Sequence, residues 1–233
     1  MTDVRFLRNR ILATLDDAQR ESLSPFLRPA RLLTGSVLIA AQFPIKEAYF
    51  ITDGVASTFT TTKNGQTVQN DFVGREGFVG VPLVLGRDRI PNSTTRMQIG
   101  GSAFKVNAAV LQTILDKPSK LQLLLRRYAH SQLIRVTQTS ICNRVHSTEE
   151  RLASWLLAAS DRVGPEFKAT HDMMAQMLGS RRVTLSLRAQ ELQRAGILWY
   201  KHGHLRILNR VHLERIACEC YGIQRDEYDG FLR

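Results

Sequence analysis

The sequence predicts an α+β fold in three parts: an antiparallel sandwich or barrel of short strands, one long helix, and a winged helix-turn-helix. Three observations carry this. Between Arg31 and Val110, short apolar runs alternate with turn signals such as Thr34-Gly35, Asp53-Gly54 and Asn64-Gly65, the texture of closely spaced antiparallel strands. Ser119 to Asn143 contains no Gly, Pro or acid and is rich in leucine, which predicts a helix of about 25 residues. Thr170 to Leu198 then reads as short helix, Gly-containing turn and longer helix. The expected divisions are 1–118, 119–146 and 147–233, with a hinge near His146.

Taken in order, Arg10 to Leu27 reads as short helices, with Asp16 capping one and Gln19 completing its capping box. Pro25 limits its length. Tyr49 to Ile51, Ser57 to Thr62 and Thr67 to Phe72 are expected strands. The run Gly74 to Gly80 holds three glycines, a sign of an unusual backbone path. On the long helix, Leu121, Leu124 or Leu125, Tyr128, Gln132, Arg135, Thr139 and Cys142 are spaced by threes and fours, a seam for a partner helix with a polar second half, or, for the leucine-rich half, a face buried against its own domain. Ser147 and Glu150 form a second capping box, and Gly164-Pro165 ends that helix.

Composition narrows the function. The chain has 233 residues and a formal net charge of +11. A chain this basic points to a polyanionic partner. The first 146 residues carry +9 and residues 147–233 only +2, so the winged segment alone does not explain the balance. No apolar run is long enough to span a membrane, and the first residues lack a secretory h-region. Three cysteines are too few for a disulfide scaffold. The expected setting is the reducing cytoplasm, with no membrane partner. No Gly-x-Ser-x-Gly, triad or P-loop pattern appears, so an enzyme is not expected.

The helix-turn-helix has a physical logic. Its second helix is expected from Arg181 or Arg182 to Arg194, with Leu185, Ala189 and Leu192 facing inward. Such a helix enters the major groove N-terminus first, presenting Ser180, Arg181, Arg182, Val183, Thr184 and Ser186. Arg takes guanine O6 and N7 together, Ser and Thr take bases or phosphates, and Val touches a thymine methyl. Thr170 and Gln176 stand where backbone contacts fall, and His202 and His204 lie on the wing. Two cations opening a helix oppose its dipole, a misfit that a DNA partner would justify. The rival class is an interaction protein whose winged domain docks another protein.

The sequence resembles the superfamily of the cyclic-AMP receptor protein and the fumarate–nitrate reductase regulator (Crp/Fnr). The resemblance rests on Thr170 to Thr184, Leu192 to Leu198, Tyr49 to Gly54 and Gly74 to Gly80. It implies an N-terminal antiparallel β-roll (a cyclic-nucleotide-binding-like jelly roll), a long dimerisation helix and a C-terminal winged helix-turn-helix. It further implies a homodimer on palindromic double-stranded DNA, with RNA polymerase as a partner. The effector pocket would involve Glu76, Gly77, Gly80, Thr94 and Arg96. Two departures speak against cyclic AMP: Gly80 precedes Val81 rather than Glu, and Asn92-Ser93-Thr94-Thr95 stands where Arg-Ser is expected. Burying a cyclic phosphate without a cation is costly. The first cysteine is Cys142, so an N-terminal iron–sulfur cluster has no ligands, and no cofactor is expected. On the base-reading helix, Arg182 matches the family's first Arg, while Val183 and Leu187 replace a Glu and a later Arg.

Other constellations carry less. Cys218 and Cys220 with His212 fall short of the four ligands of a structural zinc site, so no metal is expected. Cys142 reads as a buried small side chain, with a redox role for the three cysteines as an alternative. His130 and His146 flank the long helix, where haem ligation competes with ordinary structural roles. Glu76 is expected to bond backbone amides or to pair with Arg75 or Arg96.

Overall fold

The structure, a computed structural model, describes residues 4–65 and 67–232. It opens with a 3-10 turn at Val4–Arg8 and two short helices, α1 (Arg10–Ala13) and α2 (Asp17–Leu23). The Asp16–Gln19 capping box is present, and a 3-10 turn at Ser24–Phe26 follows as Pro25 ends the helix. Strands β1 (Arg28–Leu32), β2 (Val37–Ile39), β3 (Glu47–Thr61), β4 (Thr67–Val73) and β5 (Phe78–Val79) follow. Short α3 (Val81–Val84) precedes β6 (Ser93–Asn107) and α4 (Ala108–Leu115). The strands form one antiparallel sheet in the order β1-β6-β3-β4, with β2 on β6 and β5 on β3.

One turn signal reads differently in space. Asp53-Gly54 does not reverse the chain; it lies inside β3, where the pairing with β6 slips at Asp53 and Val55. Gly54 takes φ +81°, and a Cβ there would sit 2.5 Å from the Ile99 carbonyl oxygen. The positive φ therefore makes a bulge that bends one long strand. Asn64-Gly65 does lie in the β3–β4 turn, closed by the Gly65 amide on Thr62 O.

Helix α5 (Lys120–Val145) is capped by Ser119 and ends at His146, whose extended backbone leads into α6 (Thr148–Val163). The Ser147–Glu150 capping box is present. Then come β7 (Glu166–Lys168), α7 (His171–Met177), α8 (Arg182–Arg194), β8 (Leu198–Lys201), β9 (His204–Ile207), α9 (Arg210–Ile216) and α10 (Cys220–Gly230). The wing has three strands, β7-β9-β8. No described helix is long and apolar enough to cross a membrane.

Among the described residues, two apolar cores result. One fills the roll and takes in Leu121, Leu124, Leu125 and Tyr128 of α5. The other joins α6, α7, α8 and the wing, and it recruits Phe59 from β3. The winged domain is thus packed against the roll. The predicted seam of α5 faces its own chain: Leu121, Leu124, Leu125, Tyr128 and Arg135 are buried there. Its polar half is accommodated because Asp71 pairs with Arg135 and Gln132, and Cys142 meets Cys218. The opposite face leaves Leu123, Leu133, Ile141 and Val145 exposed.

Candidate DNA interface and sensor region

Thr170 caps α7 by accepting a hydrogen bond from the Met173 amide. Gly179, at φ +55°, turns the chain toward α8. The inward face of α8 is Leu185, Ala189 and Leu192, all buried at spacings of four and three. That anchoring turns Arg181, Arg182 and Val183 outward, with Val183 72% and Leu187 54% exposed. Arg182 reaches Asp172 at 3.1 Å in an exposed pair. Thr184 is half-buried. Ser186 is engaged by His171 Nδ1 at 3.0 Å, and the His171 ring stacks on Tyr200. Burial, helped by Arg182, lowers the His171 pKa, so its neutral ring is favoured and holds Ser186 in place. His202, at φ +50°, makes the exposed turn of the wing, and His204 is exposed beside it. Ser180 is half-buried in the turn.

Gln176, expected at a phosphate contact, is exposed on α7 and bonded to the roll. Its Oε1 accepts from Arg96 Nη2 at 2.8 Å, so it faces the roll. Arg96 in turn lies over the Phe59 ring, 4.4 Å from the centroid. Both side chains are used in joining the two domains.

Of the five residues expected to line an effector pocket, each has contacts within its own chain. Glu76 is buried, accepting from Arg162 Nε at 2.9 Å and from the Gly74 amide at 3.0 Å. The expected amide contact is there, but the cation is Arg162 of α6 rather than Arg75 or Arg96. A Cβ at Gly77 would fall 2.4 Å from the Tyr128 hydroxyl, and one at Gly80 would meet Ala48 and Phe78. Thr94 accepts from the Ala41 amide at 3.3 Å. A cleft of about 790 Å³ opens instead between the roll, α6 and α10, and takes in only Glu76 of the five. Its walls carry five arginines and four carboxylates, which gives no strong preference for an anion.

Sequence reasoning did not find the buried ionic layer between the domains. Arg135 Nη2 pairs with Asp71 at 3.2 Å, and Arg162 with Glu76. Both guanidiniums lie over the Tyr228 ring, at 4.6 and 4.3 Å. The partners are 64 and 86 residues apart in the chain, so no local pattern announces them.

The ligand shortage argued for the cysteines does not hold in space. Cys142 and His146, on the last turn of α5 and just past it, meet Cys218, between α9 and α10, and Cys220, the first residue of α10. All four donor atoms lie within 4.8 Å of one another. The hydrogen bond from Cys142, with one from Ser154, holds the Cys218 thiol below its ordinary range despite burial. His212 takes no part in this group.

Residues 150–216 match the Crp-like helix-turn-helix domain family. No curated protein matches the chain. Among solved structures, the chain is similar to a regulator assigned to the Crp/Fnr family from Eubacterium rectale, with 18% identity and a TM-score of 0.69 over 90% of this chain and 98% of that one. It is similar to FixK2 from Bradyrhizobium japonicum, with 14% identity and a TM-score of 0.65 over 82% and 98%. It also matches the c-di-GMP responsive global regulator CLP of Xanthomonas campestris, with 15% identity and a TM-score of 0.63 over 82% and 99%. The chain therefore carries a Crp-like helix-turn-helix domain at its C-terminal end and is built on the fold of the Crp/Fnr transcriptional regulators.

Proposed function

We propose that this chain is a sequence-specific DNA-binding transcription regulator that binds a palindromic operator as a homodimer. The observation that carries the reading is the outer face of α8, where Arg181, Arg182 and Val183 stand exposed on a helix anchored by three buried side chains. The match of residues 150–216 supports a nucleic-acid role for that face. Thr184 and His202 extend the same surface. Ser186 supports it by fixing His171, and Gln176 would reach phosphate only after leaving Arg96.

The dimer is proposed on the outer side of α5, where Leu123, Leu133, Ile141 and Val145 are exposed, apolar surface that a second helix would cover. A two-fold axis along α5 would place two α8 helices in successive major grooves about one helical turn apart. Cyclic AMP is not the effector in this reading, because Arg96 is spent on Gln176 and Glu76 on Arg162.

Selection from random duplex DNA with the purified protein at physiological salt tests the proposal. The expected product is a palindrome, recovered equally with and without cyclic AMP. Non-specific binding with a steep salt slope and no enriched sequence would overturn it in favour of a protein-docking domain.

A further inference from the structure

We propose that Cys142, His146, Cys218 and Cys220 form a four-coordinate site for a single zinc-class divalent ion, which clips the end of α5 to the start of α10 and the residues just before it. The donor set is three sulfurs and one imidazole, the chemistry of closed structural zinc sites. The geometry matches a single ion. Metal–sulfur bonds of about 2.3 Å give sulfur–sulfur edges of about 3.8 Å in a tetrahedron. Here Cys142 Sγ lies 3.6 Å from Cys218 Sγ, and Cys220 Sγ lies 3.5 Å from His146 Nδ1. With every donor pair within 4.8 Å, the four are too close to hold the corners of an iron–sulfur cubane.

Independent observations lie in the surrounding contacts. The other His146 nitrogen, Nε2, meets the Glu219 carboxylate at 3.2 Å. A carboxylate on the far nitrogen orients a ligating imidazole and raises its basicity. Ser154 Oγ accepts the Cys218 amide at 3.1 Å and lies 3.1 Å from Cys218 Sγ, which leaves its hydroxyl proton for the sulfur. Gln138 Nε2 donates to Cys220 Sγ at 3.1 Å. Two of the three sulfurs thus have polar donors suited to thiolates. Cys218 and Cys220 are buried, while Cys142 and His146 are half-buried and leave an entry path.

Binding replaces the protons of the thiols, which leave to solvent, and requires the neutral imidazole. No electron transfer is involved. Cys142 and Cys218 are 76 residues apart, and the whole helix-turn-helix lies between them. The ion would therefore hold both ends of the winged domain at the hinge, restraining its swing relative to α5.

The test uses the full chain, reduced, stripped with a chelator and titrated anaerobically with Co²⁺ and then Zn²⁺. The expected result is one Co²⁺ per chain, with thiolate-to-cobalt charge-transfer bands and the strong visible bands of a four-coordinate ion, all lost as Zn²⁺ displaces it. Ser154→Ala and Glu219→Gln should weaken Zn²⁺ binding about 10- to 100-fold, and Cys218→Ser by more. His212→Gln should bind as the parent does. The wild-type cobalt spectrum decides the matter even where a cysteine variant fails to fold. A weak six-coordinate spectrum, or no stoichiometric binding by the reduced protein, would overturn the site and leave Cys142 and Cys218 as a thiol pair. Affinity unchanged in a folded Cys218→Ser variant would overturn it as well.

Discussion

Glu76 and Arg162 meet at 2.9 Å where α6 crosses the roll, both shielded from water. Burial alone would push the Glu76 carboxyl up. Arg162 beside it, with the Gly74 amide, reverses this and holds it below its ordinary value of 4.5. A carboxylate depressed in the folded state contributes stability above its unfolded pKa, and that stability is lost as pH falls through the folded value. Urea unfolding should therefore show a loss beginning below about pH 4.5, and Glu76→Gln should flatten that part of the profile. The substitution itself should cost about 3–5 kcal/mol at neutral pH, because it leaves a buried guanidinium without its charge partner. Arg182 is the opposite case. Its pair with Asp172 is two-thirds exposed on both sides, so the pair adds little to folding. Arg182→Ala should leave the melting temperature nearly unchanged and weaken operator binding by about 1–3 kcal/mol. Competition binding on selected and random duplexes separates the roles, since equal loss on both would make Arg182 a phosphate contact.

Helix α5 has two apolar faces with different fates. Leu121, Leu124, Leu125 and Tyr128 complete the core of the roll. On the other side, Leu133 is 67% and Val145 63% exposed. A face of this kind calls for a partner, and a second α5 is the proposed one. Leu133→Glu should leave circular dichroism and unfolding of the chain intact while shifting sedimentation from dimer to monomer. Operator affinity should fall with it, since one half-site alone is then engaged. A dimer that persists would place the interface elsewhere. The periodicity of α5 was legible in the sequence, but which stripe faces inward was not. Arg135 lies on the expected seam, but nothing local in the sequence pairs it with Asp71 and Tyr128, which surround it in the fold.

On the scale of the whole molecule, the winged domain lies against the roll through Phe59, the Arg162–Glu76 pair and the Arg96–Gln176 contact. The last is the outermost of the three, and Gln176 sits on α7 beside the proposed DNA surface. Arg96→Ala removes one hydrogen bond and the cation over Phe59, at a cost of about 1 kcal/mol or less. Hydrogen exchange in α7 should accelerate in that variant while α8 and the wing keep their protection. Unchanged exchange in α7 would mean that Phe59 and the ionic layer already hold the domain.

Elements set by short-range chemistry were readable from the chain: the capping boxes at Asp16 and Ser147, the turn at Gly179, the Leu185-Ala189-Leu192 face and the wing turn at His202-Gly203. Each depends on residues within a few positions of one another, where backbone sterics and helical spacing leave few options. Asp53-Gly54 misled because a positive φ serves a hairpin and a bulge equally well, and only the pairing of β3 with β6 selects between them. The ionic layer, the dispersal of Glu76 and Arg96 into domain contacts, and the meeting of Cys142 and His146 with Cys218 and Cys220 all join residues more than 60 positions apart. Pattern and propensity are blind to such encounters, because the path of the folded chain alone brings those side chains within reach of one another.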